Sequence, residues 1–241
     1  MRRLILAFGL ALAASLAVAS DLRGNFSYAV TLDGEGRVIG IVAVDEGPFA
    51  VPPPALDAAL RQQLSARHYV LAPALEPPVR TWLDGEYRLV EEGDDYMLRI
   101  DGLRAGPRLA RMKPPKYPIA MIRGRSGADV VLELAVDADG SLAVHDRAFR
   151  DADLSRVARN ALERAVDDSL AGWRYEPEAD ARGPLPGRTM VAIQLRITAL
   201  PTDPGLFEPL ADVPQAGNVR VPDEDYSPLT VQVTGSRVRR R

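Results

Sequence analysis

Across residues 113–198 the spacing of apolar side chains changes from two to helical and back to two. Val130, Leu132, Leu134 and Val136 alternate with polar or small residues, as one face of a half-buried strand does. Asp137-Ala138-Asp139-Gly140 supplies turn chemistry and returns the chain through residues 141–149 as a second strand. Leu154, Val157, Ala158, Ala161, Leu162, Ala165, Val166 and Leu170 then recur at i, i+3, i+4 spacing. Asp151 or Asp153 is the expected N-cap of that helix, and Gly172 its end. After a loop over 177–186, Val191, Ile193, Leu195 and Ile197 form one face of a closing strand. Two strands, a helix and a strand in that order imply an α+β unit: a short antiparallel sheet with a helix packed on it.

The N-terminal half carries a fainter copy. Phe26, Tyr28, Val30 and Leu32 alternate, Asp33-Gly34-Glu35-Gly36 turns the chain, and residues 38–44 return. Pro52-Pro53-Pro54 leads into a helix with Leu56, Ala59, Leu60 and Leu64 on one face. Two strands follow, over 79–90 and 96–100, joined by the acidic turn 91–95. Gly36 and Gly140 stand 104 positions apart (140 − 36), and so do Tyr69 and Trp173, and Pro73 and Pro177. The constant offset predicts a duplicated unit. The domains expected are then residues 20–100, a linker over 101–113 marked by Gly102, Gly106 and Pro107, and residues 114–198. Residues 199–241, rich in proline and acid, are expected to be largely disordered.

The ends and the composition bound the function. Met1-Arg2-Arg3, an apolar run to residue 19 and Ala17-Val18-Ala19 have the form of a signal peptide over residues 1–19, cleaved before Ser20. That implies a bacterial envelope compartment, the periplasm, with an inner-membrane anchor as the alternative. The chain has no cysteine and two histidines, His68 and His145, and its net charge is −3. Disulfides and thiolate metal sites are excluded, and neither metal nor cofactor is expected. The charge gives no reason to expect a nucleic-acid surface. Neither histidine has a serine or carboxylate partner at a recognisable motif spacing, and Asp137 and Asp139 lack the remaining ligand positions of a calcium loop, so no enzyme is expected.

Three further segments, in order with the turn, carry a resemblance. Tyr117-Pro118-Ile119-Ala120 precedes the Val136-Asp137-Ala138-Asp139-Gly140 turn. Trp173-Arg174-Tyr175-Glu176-Pro177 follows the helix, and Gly183-Pro184 leads to the closing strand. In this order the stretch resembles the C-terminal domain of the TonB energy-transducer family. It departs from the family in having Ala128 where a glycine is usual, with Gly127 one position earlier, and in lacking a long proline-rich linker behind the N-terminal apolar run.

The resemblance implies two tandem TonB-like units. Tyr117, Pro118, Gly140, Trp173, Tyr175 and Pro177 would hold the fold. The last strand, over 188–198, would receive the TonB-box peptide of an outer-membrane receptor along its edge, through Arg188, Met190, Val191, Ala192, Ile193, Gln194, Leu195 and Arg196. Gln194 and Arg196 would select the partner's side chains, while backbone groups supply the affinity. The function implied is a role in TonB-dependent transport across the envelope. Inner-membrane motor proteins would be partners if the N-terminus is retained. The rival expectation is a structural or scaffolding envelope protein that forms homodimers through its sheet edges. Finally, Leu229-Thr230-Val231-Gln232-Val233-Thr234-Gly235-Ser236-Arg237 resembles a segment near the start of TonB-dependent receptor plugs. It is read either as a β-prone end or as a mimic of the receptor peptide that pairs with an edge strand, in its own chain or another.

Overall fold

A computed structural model describes residues 23–44, 52–92, 95–150, 154–198, 213–227 and 229–236. The expected signal peptide and the acidic residues 93–94 lie outside these. The fold is α+β. The N-terminal unit runs β1 (Arg23–Leu32), β2 (Val38–Ala43), α1 (Pro54–Ser65), β3 (Val70–Leu71), β4 (Val79–Glu92) and β5 (Asp95–Gly106). The second unit runs β6 (Arg108–Arg111), α2 (Ile119–Gly124), β7 (Ala128–Val136), β8 (Leu142–Arg150), α3 (Arg156–Leu170), β9 (Arg174–Glu176), β10 (Ala179–Asp180), β11 (Gly183–Pro184) and β12 (Gly187–Thr198). The tail adds β13 (Val219–Arg220), a 3-10 turn (Asp223–Asp225) and β14 (Leu229–Ser236).

The alternating patterns become sheet faces. Phe26, Tyr28, Val30 and Leu32 are buried against Leu56, Leu60 and Leu64 of α1. Val130, Leu132, Leu134 and Val136 are buried against Ala158, Leu162 and Val166 of α3. Pairing follows one scheme in both units. Tyr28 faces Leu83 and Leu32 faces Val79 across β1 and β4. Leu132 faces Val191 and Val136 faces Gly187 across β7 and β12. The turns match as well. Gly36 and Gly140 have φ of 77° and 80°, and their N–H groups donate to the carbonyls of Asp33 (3.0 Å) and Asp137 (2.9 Å). A Cβ on either would run into a backbone carbonyl, of Tyr69 or of Tyr175, so only glycine fits both the angle and the space.

Several expectations are corrected. The aromatic matching Tyr69 is Tyr175, because Tyr69 N–H donates to the Gly36 carbonyl (2.9 Å) as Tyr175 N–H does to that of Gly140 (3.3 Å). From the hairpin to the strand after the helix the offset therefore grows from 104 to 106 (175 − 69). The cap of α3 is Ser155, whose side chain accepts from Ala158 N–H at 3.2 Å; Asp151 and Asp153 lie outside the described residues. Val157 is 70% exposed and stands off the buried face, and Ser169 is buried.

Residues 101–113 are not a free linker. β5 continues to Gly106 along β4 past a bulge at Asp101, and β6 pairs with β9. Gly102 lies under Ser227, whose Cβ would be 2.8 Å from an added side chain, so this glycine serves close packing. The described part of the tail, residues 213–227 and 229–236, packs on both units. Val219 and Val221 enter the N-terminal core, and Val231 and Val233 enter the other. β13 pairs with β3, and β14 with β12. Its prolines fall outside the strands: β13 lies between Pro214 and Pro222, and β14 begins after Pro228.

Candidate strand-binding site

The second sheet has the order β14-β12-β7-β8. On one side β12 is bonded antiparallel to β7, from Gly187 opposite Val136 to Leu195 opposite Ala128. On its other side it is bonded parallel to β14, from the Val191–Leu229 pair to the Thr198–Ser236 pair. The edge that the resemblance assigns to a receptor peptide is thus covered by the chain's own tail.

The proposed edge residues divide by place. Arg188 and Met190 precede the stretch that β14 covers, and the Arg188 guanidinium pairs with Glu133 at 2.7 Å. Val191, Ile193 and Leu195 point into the core with Trp173 and Tyr175. Ala192 and Gln194 are buried. Arg196 donates to Asp129 Oδ2 at 2.9 Å. Gln194 is thus buried within the sheet, while Arg196 is partly exposed and tied to Asp129. A peptide on β12 meets the backbone and whatever lines the groove.

The lining comes from the motif residues. Pro118 caps α2, which places Tyr117 beside the start of β7. The Tyr117 hydroxyl donates to the Ser126 carbonyl at 2.7 Å, and burial pushes its pKa up. Its ring lies against Gly235: a Cβ there would sit 2.8 Å from the ring. Gly127, the displaced glycine, has a similar reason, since a Cβ there would be 2.8 Å from the Leu195 carbonyl of β12. Trp173 is fully buried, with Nε1 donating to the Lys113 carbonyl (2.8 Å) and to Ser169 Oγ (3.0 Å). Tyr175 is buried too, and desolvation drives its hydroxyl far above the ordinary range. Strand β9 ends just before Pro177, which has no N–H to continue it.

The second group of consequence carried no sequence signal. Glu178 is fully buried where the two units and the tail meet. Its carboxylate accepts from Thr81 Oγ1 (2.6 Å) on β4 and from Asn218 N–H (3.1 Å) in the tail. Desolvation outweighs these bonds and raises its pKa to about 6. Beside it, the β10–β11 turn clasps the N-terminal unit. Arg182 donates to Asp180 and to the Ala74 carbonyl (2.8 Å), and Asp180, held down to about 2 mainly by Arg182, accepts from Glu76 N–H. A loop glutamate flanked by proline and alanine has no periodicity to betray it.

His145 lies exposed on β8, and His68 is exposed beside Arg37. Asp137 and Asp139 bond Ser141 within the turn. Among the described residues no helix is long and apolar enough to cross a membrane. No protein-family profile, curated protein or solved structure matches the chain. What the arrangement can do chemically is pair backbone: β12 offers a row of N–H and C=O groups to a parallel strand.

Proposed function

We propose that this chain is a periplasmic TonB-like module of two tandem TonB C-terminal-like units, which binds an extended peptide of an outer-membrane receptor by strand addition and serves TonB-dependent transport. One observation carries the reading. A segment resembling a receptor plug sequence, remote in the chain, lies as a parallel strand on the strand where the family takes its receptor peptide. Removing residues 229–241 should raise affinity for a receptor-plug peptide, read by titration of a labelled peptide. A folded truncated chain that takes no receptor peptide would refute the reading. In this scheme the inner-membrane motor proteins are partners only if the N-terminal apolar run is retained.

A second reading, self-association through sheet edges, is favoured by β2. Its sequence Val38-Ile39-Gly40-Ile41-Val42-Ala43 carries no charge, ends the first sheet among the described residues, and leaves Ile39 and Val42 62% and 65% exposed. Natural edges are usually blunted by charge, as β8 is by Asp146, Arg147 and Arg150. Ile39→Lys should turn a dimer into a monomer in sedimentation if this edge pairs two copies; a monomer both before and after would dismiss the idea.

A further inference from the structure

We infer that the groove between β12 and Tyr117 selects strands with apolar residues at positions one, three and five and glycine at position seven, and that β14 is an internal occupant which such a strand displaces. The inference rests on reading β12 as a strand-binding edge. It adds the ligand's pattern and the means of its control.

The pattern follows from the contacts. Leu229, Val231 and Val233 are alternate residues of β14, and all three pack on the second core. A parallel strand entering at Val191 must present an apolar side chain at each of these places or leave core surface wet. Two residues beyond Val233, Gly235 meets the face of Tyr117, and even a methyl group would overlap the ring. The ring is not free to yield, because its hydroxyl is tethered to the Ser126 carbonyl. The site thus measures both alternation and the lack of a seventh side chain. Backbone bonds do not depend on sequence, so specificity must come from these pockets.

The control follows from the chain path. Residues 213–227 are held on the N-terminal unit and at its junction with the second. Val219 and Val221 are buried there, Asn218 bonds Glu178, and Ser227 N–H bonds the Leu103 carbonyl at 2.8 Å. One residue, Pro228, separates this anchored part from β14. β14 can leave β12 while the rest of the tail stays in place. Held so close, it competes at an effective concentration on the order of millimolar. An external strand therefore binds weakly until β14 is released.

The test uses the full chain with Gly235→Val, which drives a side chain into Tyr117, and the labelled peptide Leu-Thr-Val-Gln-Val-Thr-Gly-Ser. The substituted chain should bind this peptide at least about tenfold more tightly than the native chain, and bind a version with alanine at position seven about tenfold more weakly. Adding Tyr117→Ala should make the two peptides equal. The inference is overturned if the folded Gly235→Val chain takes neither peptide, if it takes both equally with Tyr117 intact, or if it binds worse than the native chain, as it would were ligands adding to the outer edge of β14. Should Gly235→Val not fold, hydrogen exchange on the native chain decides. Excess glycine peptide must speed exchange at residues 229–236, and unchanged exchange overturns the inference. If the glycine peptide binds selectively and receptor-plug peptides do not bind, the pattern stands and the receptor reading fails.

Discussion

β4 and β12 hold matching places in the two sheets, each antiparallel to the first long strand of its unit, and the chain covers their other edges in opposite ways. β5 covers β4 as the next strand in sequence, antiparallel, from the Glu92–Asp95 pair at the turn back to Trp82 opposite Gly106. β14 covers β12 parallel, from a segment that first crosses to the other unit. A hairpin closes with little loop entropy, and antiparallel pairing is slightly the stronger per residue. The cover on β4 is therefore part of its unit, and the cover on β12 is a separable strand. Two units with like strand pairing differ in whether the last edge is sealed or occupied.

The comparison depends on the two units being built alike, and the turn glycines test that hardest. Gly36→Val and Gly140→Val should each cost about 3 kcal/mol, since each adds strain at positive φ and a clash with a backbone carbonyl. Denaturant midpoints would show it. A large loss at one turn and none at the other would break the equivalence.

The next effect concerns what ties the tail to both units. Glu178 has a folded pKa of about 6, above its ordinary value of 4.5. A raised carboxyl pKa means that the native state holds its proton more tightly than the unfolded chain does. The stability is fully present below about pH 4.5, falls as pH rises toward 6, and is lower by about 2 kcal/mol beyond it. Glu178→Gln should flatten this fall and leave the chain the more stable at pH 8, as urea unfolding at pH 4.5 and 8 would show. A native chain whose stability rises across that window would contradict the burial argument.

The smallest effect is expected at Arg188. Its pair with Glu133 is half exposed, so Arg188→Ala should cost about 0.5 kcal/mol. Because β14 begins opposite Val191, the substitution should also leave peptide affinity unchanged. A clear loss of binding would extend the groove toward Gly187.

The hairpins, the helix faces and the burial of Trp173 and Tyr175 were legible because each follows from a local period or a turn residue. From the sequence the Tyr117 ring reads as architecture, and its contact with Gly235 depends on a residue more than a hundred positions away. Residues 101–113 read as a linker because the bulge at Asp101 breaks the alternation and Gly102, Gly106 and Pro107 read as breakers. β13 is two residues long and exists only because β3 is there to pair with it. No periodicity can announce such a strand. The alternation in β14 is visible in the sequence, but the choice between a loose end and an occupied edge requires the partner strand.

Hydrogen exchange along the two covering strands tests the difference between them most directly. In the native chain, amides of Leu229–Ser236 should exchange faster than those in the centre of Asp95–Gly106. Excess glycine-bearing peptide should speed the former further while leaving the latter and Gly187–Thr198 protected. Equal protection of both covers, unmoved by peptide, would mean that β14 seals its edge as permanently as β5 does.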